Sequence, residues 1–167
     1  MSCWALVSAS EEQTLKIGTL IGRCLNAPQL ILLQGNLGAG KTVIARGIAR
    51  GLGVAAETPI TSPTFTLMNH YPARLDLYHF ALYPFSAPED LLDIDFEQYA
   101  FGDRVALVEW PEKLENPDIA GIWIHISTMK GQRCLTFSAQ DETSQGVLER
   151  ILMQIRSAGF VVHEMVK

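Results

Sequence analysis

The sequence predicts an α/β layered fold, and three observations carry that prediction. A short continuous apolar run, "QLILLQ" at Gln29 to Gln34, has the pattern of a strand buried on both faces. Segments with apolar residues at helical spacing stand before and after it. Strand-like runs broken by turn residues follow, so strand, turn, helix, hairpin, helix and strand alternate along the chain. A length of 167 residues suits one domain, 1–167, with a single substantial core.

The elements follow in order. Ser10 to Leu25 opens with a capping signal, carries Leu15, Ile17, Leu20, Ile21 and Cys24 at helical spacing, and is closed by Pro28. After the strand at Gln29 to Gln34 comes a glycine-rich turn, then "TVIARGIARGLG", a helix ending at Gly51 or Gly53. "TFTLMNHYPARLDLYHFALY" holds two strand-like halves around Pro72 and Ala73, the pattern of a β-hairpin. "SAPEDLLDIDFEQYAF" predicts one or two short helices started by Ser86, with Pro88 close behind. In "RVALVEWPE" the residues Val105, Leu107 and Glu109 share one strand face, and Ala106, Val108 and Trp110 the other. "GIWIHIS" and "RCLTFSA" form a second strand pair around Lys130 and Gly131, and an amphipathic helix runs from Asp141 to about Ser157.

Composition narrows the classes. With 48% hydrophobic and 19% charged residues the chain reads as globular. Its apolar runs are too short to span a bilayer, and the N-terminal stretch lacks the basic start and long apolar segment of a secretory signal. Cys3, Cys24 and Cys134 are odd in number and scattered, which argues against a disulfide framework and points to a reducing cytosol. His70, His79, His125 and His163 show no metal-ligand spacing. A net charge of −5 argues against a large nucleic-acid footprint, though not against a role on RNA held by another protein.

The turn after the first strand, "GNLGAGKT", fits G-x-x-x-x-G-K-[ST], with Gly35, Gly40, Lys41 and Thr42 on the fixed positions. Glycines let successive backbone N–H groups turn inward around a phosphate. Lys41 supplies a compact positive charge for the β- and γ-phosphates, and the Thr42 hydroxyl a magnesium ligand. The helix that follows points its positive end at the same anion. With a buried strand before it and a helix after it, the motif predicts a bound nucleoside triphosphate. The fold expected is therefore of the P-loop NTPase type, three-layered, with a mixed, mostly parallel sheet flanked by helices and a β-hairpin after the loop at Thr61 to Phe65.

A charge at the end of a buried strand needs a partner. Glu109 has a candidate in magnesium, since P-loop proteins use an acidic residue at a strand end to hold that ion directly or through water. The plainer reading is an acidic strand terminus that is solvated or caps a helix. "TSPTF", Thr61 to Phe65, is open to two readings, a loop sensing the γ-phosphate or a simple Ser-Pro turn into a strand. No Asn-Lys-x-Asp or Thr-Lys-x-Asp guanine reader is present. A small-molecule kinase is a remote alternative, because the late segment offers only Lys130 and Arg133, with Arg46 and Arg50 on the P-loop helix.

"GNLGAGKT", "RGIARGLG", "SPTFTL", "LYHFALY", "PEDL" and "VALVEWPEKL", in this order and spacing, resemble the TsaE family, from about Ser10 to Phe137. These are small P-loop ATPases of bacterial tRNA threonylcarbamoyladenosine synthesis. The resemblance implies ATP and Mg2+ as cofactors and the TsaB–TsaD pair as partner. It also implies a weak ATPase that resets that pair between rounds of modification, meeting tRNA only through it. The P-loop, Gly35, Asn36, Leu37, Gly38, Ala39, Gly40, Lys41 and Thr42, would bind the nucleotide; the resemblance implies less directly an adenine-side contact near Ser10 and a phosphate or base contact by Arg133. Thr42 and Glu109 would hold magnesium, and Lys41, Thr64 and Glu109 would form the catalytic group. Trp110 either shapes the nucleotide or partner surface or is a plain core tryptophan.

One departure stands out. The family usually reads His-x-Asp-x-Tyr-Arg at the end of the second hairpin strand, whereas "HFALYP" has Ala81 for the aspartate and Pro84 for the arginine. One carboxylate fewer implies weaker metal binding or slower hydrolysis. Asp76 lies an odd number of residues before Ala81, on the opposite strand face, unless a β-bulge restores the alternation. Slow hydrolysis leaves a second reading open, a docking module governed by nucleotide occupancy.

Overall fold

The computed structural model describes residues 2–63, 68–82 and 102–165. Among them eight strands form one sheet: Cys3–Ser8 (β1), Gln29–Gln34 (β2), Met68–Tyr71 (β3), Leu77–Ala81 (β4), Val105–Glu109 (β5), Ile122–Met129 (β6), Gln132–Ala139 (β7) and His163–Met165 (β8). Their order across the sheet is β3-β4-β5-β2-β6-β7-β1-β8. Three helices accompany them: Glu11–Cys24 (α1), Lys41–Leu52 (α2) and Glu142–Ser157 (α3).

The sheet is mixed, but the expectation of a mostly parallel one is corrected. β4–β5, β5–β2 and β2–β6 are parallel, whereas β3–β4, β6–β7, β7–β1 and β1–β8 are antiparallel. Short turns can only join antiparallel neighbours, and both hairpins take that route. The terminal strands β1 and β8, which local pattern does not announce, add the other two antiparallel pairs.

Strand alternation sorts the core into two clusters. Ile31, Leu33, Leu77, Val105, Leu107 and Ile124 pack with the buried stripes of all three described helices. Leu30, Leu32, Phe80, Ala106, Val108 and Trp123 form the cluster on the other face, with Trp110, Leu114 and Ile119 against it. The helices expected over 86–101, which would complete a third layer, lie outside the described residues, as does the first part of the predicted hairpin.

α1 and α2 touch backbone to backbone. A Cβ on Gly22 would lie 2.3 Å from the Ile48 carbonyl oxygen, and one on Gly51 would lie 2.3 Å from that of Thr19. Arg74, in the β3–β4 turn, ties the far ends of both helices together. Its guanidinium donates to the carbonyls of Leu25 (2.7 Å), Gly22 (3.1 Å) and Gly51 (3.4 Å), at helix ends where the usual donor four residues on lies beyond the helix. The starts of α1 and α2 are thereby held side by side, and they form two walls of the site.

Candidate functional site

The glycine-rich turn between β2 and α2 opens onto a cavity of about 810 Å³ at the end of the parallel strands. Gly40 precedes α2 with φ of 113°, a conformation that favours glycine, and no side chain caps the helix there. First-turn N–H groups uncapped by a side chain suit an anion. Gly35 is fixed by close approach, since a Cβ would sit 2.6 Å from the Ile126 carbonyl oxygen.

Lys41 is buried, with 6% of its surface exposed. Its ammonium donates to the carbonyl of Gly35 and, at 3.3 Å, to that of Asn36, and lies 3.9 Å from the centre of the Trp110 ring. Burial pulls its pKa below the ordinary lysine value, against the opposing pull of Glu109 and Glu112. Trp110 has left-handed backbone (φ 63°, ψ 47°), strain of about 1–3 kcal/mol of the kind that clusters at functional sites. Its N–H donates to the Leu33 carbonyl, which anchors the chain at the end of β2 as β5 finishes.

Glu109, 3% exposed, is the centre of a hydrogen-bonded chain. Ser62 Oγ donates to Glu109 Oε2 at 2.6 Å and lies 3.0 Å from Thr42 Oγ1. His79 Nε2 lies 2.6 Å from the same Oε2. Burial alone would raise the Glu109 pKa. The hydrogen bond and charge of His79, the Ser62 hydroxyl and the Lys41 charge outweigh it and hold the carboxyl below its ordinary range.

Most of the residues singled out by sequence come together here. Ser10, Asn36, Leu37, Gly38, Gly40, Lys41, Thr42, Glu109 and Arg133 all line the cavity. Gly35 and Ala39 do not line it and instead support the loop from behind, Gly35 through its carbonyl bond to Lys41 and Ala39 as a buried residue of the core. Arg133 reaches over the loop from β7 and donates to the Gly38 carbonyl at 3.4 Å. Ser10 caps α1, its hydroxyl accepting from the Gln13 N–H while Gln13 Oε1 accepts from Ala9. Trp110 both lines the cavity and packs against the second core cluster, so it has features of both its readings. Thr64 lies outside the described residues.

Ala81 stands on the cavity wall, paired in register with Glu109. Asp76 does not replace the missing carboxylate. β4 pairs with β5 without interruption from Leu77 to Ala81, so there is no bulge, and Asp76 bonds His70 at 3.2 Å in the hairpin turn. Sequence reasoning missed His79. The available signal was its alternation with Leu77 and Ala81, which puts it on the Glu109 face once β4 and β5 are paired.

Thr42 and Glu109 offer a hydroxyl and a carboxylate linked through Ser62. Among the described residues no cluster of three or more His, Cys, Asp or Glu side chains forms a metal cage. That donor set fits magnesium, which is bound by one or two protein oxygens and completed by water and phosphate.

The family model described as "Threonylcarbamoyl adenosine biosynthesis protein TsaE" matches residues 8–135. The chain is similar to a Treponema pallidum protein described as "tRNA threonylcarbamoyladenosine biosynthesis protein TsaE", 44% identical over 108 residues, 65% of this chain and 78% of that protein. A Nostoc protein of the same description is 41% identical over 111 residues, 64% of this chain and 67% of its own. The crystal structure of Bacillus subtilis YdiB matches with a TM-score of 0.76 at 28% identity, covering 93% of this chain and 98% of that one.

Proposed function

The chain belongs to the TsaE family, and on that premise we propose an ATP-binding protein with weak ATPase activity, of the P-loop NTPase type. It acts with the TsaB–TsaD complex, resetting it between rounds of tRNA threonylcarbamoyladenosine modification, and meets tRNA only through that complex. The observation that supports this reading is the meeting of Lys41, Thr42 and Glu109 in one cavity beneath a glycine-rich turn that leads into a helix.

The loop N–H groups and the start of α2 bind phosphate. Lys41 is held desolvated on the loop carbonyls, where its charge acts more strongly than in water. Thr42 and Glu109 hold magnesium, which when bound screens the charge of the phosphates. Ser62 joins those two ligands, so its loop is placed to respond to what occupies the site. The alanine in register with Glu109 favours a second reading, a docking module in which ATP occupancy matters more than hydrolysis. A cytoplasmic location goes with either role. No helix among the described residues is long and apolar enough to cross a membrane.

Calorimetric titration with ATP and magnesium tests the site. The wild type should bind, and Lys41→Met should bind roughly 10–100-fold more weakly, the loss of a charge-assisted contact, with its melting temperature retained. Equal binding by the two proteins would place the nucleotide elsewhere.

A further inference from the structure

We infer that His79 is the positioning residue of Glu109, bracing one carboxylate oxygen from β4 so that the other faces the nucleotide cavity. The inference rests on the reading of that cavity as an ATP and magnesium site.

Register brings the two residues together. Ala81 pairs with Glu109 and His79 with Leu107, so His79 is the diagonal neighbour of Glu109 on the same sheet face. The imidazole is long enough to cross that diagonal, and Nε2 ends 2.6 Å from Oε2. Ala81, directly opposite, is too short to reach the carboxylate. Lys41 bonds the Gly35 and Asn36 carbonyls instead of Glu109. From the sheet, His79 therefore supplies the bracing contact, while Ser62 supplies the other from a loop.

Two further observations separate bracing from mere packing. His79 is fully buried, yet Nδ1 has no hydrogen-bond partner. An apolar side chain would fill the space without that desolvation penalty, so its polar character serves the Nε2 contact. Both donors also converge on Oε2, and Oε1 accepts from neither. An ionised carboxylate has about four lone-pair sites, so this one-sided use leaves a whole oxygen for a cation or its water.

The test compares His79→Leu with His79→Gln, whose amide keeps a donor near the Nε2 position. Each is titrated with a non-hydrolysable ATP analogue, with and without magnesium. Nitrogen-15 spectra of the wild type and of Glu109→Gln add a readout of the His79 ring that needs neither nucleotide nor a folded leucine variant. The expected result is unchanged magnesium-free binding in His79→Leu, loss of about tenfold or more of the magnesium-dependent gain, and recovery in His79→Gln. The ring Nε2 signal should also shift in Glu109→Gln. A full magnesium-dependent gain in His79→Leu, or no recovery in His79→Gln, overturns the inference while the ATP site stands. An unmoved Nε2 signal overturns it even where His79→Leu fails to fold. Absence of any nucleotide binding by the wild type removes the reading of the cavity, and the inference with it.

Discussion

Ala81 faces Glu109 in the parallel pairing of β4 with β5, and both line the same cavity. A carboxylate at that position would stand beside Glu109 and the Thr42–Ser62 pair. Ala81→Asp should therefore tighten the magnesium requirement of ATP binding and speed hydrolysis by about tenfold, as an added anionic ligand does. Steady-state phosphate release across a magnesium series measures this. An unchanged rate would mean that the position does not limit turnover.

Backbone contact between α1 and α2 makes opposite predictions for two helical glycines. Gly→Ala inside a helix ordinarily stabilises, by about 0.8–1 kcal/mol. A Cβ on Gly146 of α3 meets nothing within 4 Å, so Gly146→Ala should show that gain in urea unfolding. On Gly51 the same Cβ would sit 2.3 Å from a carbonyl oxygen of α1, forcing the helices apart. Gly51→Ala should cost about 1–3 kcal/mol and weaken nucleotide binding, because α2 carries Lys41 and Thr42.

Glu109 also sets a pH dependence. Burial opposes its charge, but His79, Ser62 and Lys41 together hold its carboxyl below the ordinary value of 4.5. A carboxyl lowered only in the folded state stabilises the fold above its unfolded pKa. That contribution is lost as pH falls through the folded value. The melting-temperature gap between wild type and Glu109→Gln should thus be widest near neutrality and shrink on acidification below pH 4.5. A constant gap across that range would remove the electrostatic account.

Much of the site was legible because its signals are local. The apolar run of β2, the glycine spacing and the helical period of α2 lie within one stretch of chain, and the amphipathic helix expected from near Asp141 does start there, with Asp141 accepting from the Ser144 N–H. β1 and β8 were not legible. β8 is three residues long, and β1, as long as β2, is set by distant partners: it lies between β7 and β8. The partner of Glu109 was hidden for the same reason. Its strand face was readable, but meeting His79 depends on the register of β4 against β5 across 30 residues. The sequence pointed to magnesium as the partner of Glu109; within the protein the carboxylate is hydrogen-bonded to His79 and Ser62.

The most direct measurement is phosphate release from ATP by the purified chain, alone and with the TsaB–TsaD pair added. The account predicts slow release alone, a rise with the pair, and loss of both with Lys41→Met. No release under either condition, together with no binding to the pair, would contradict it.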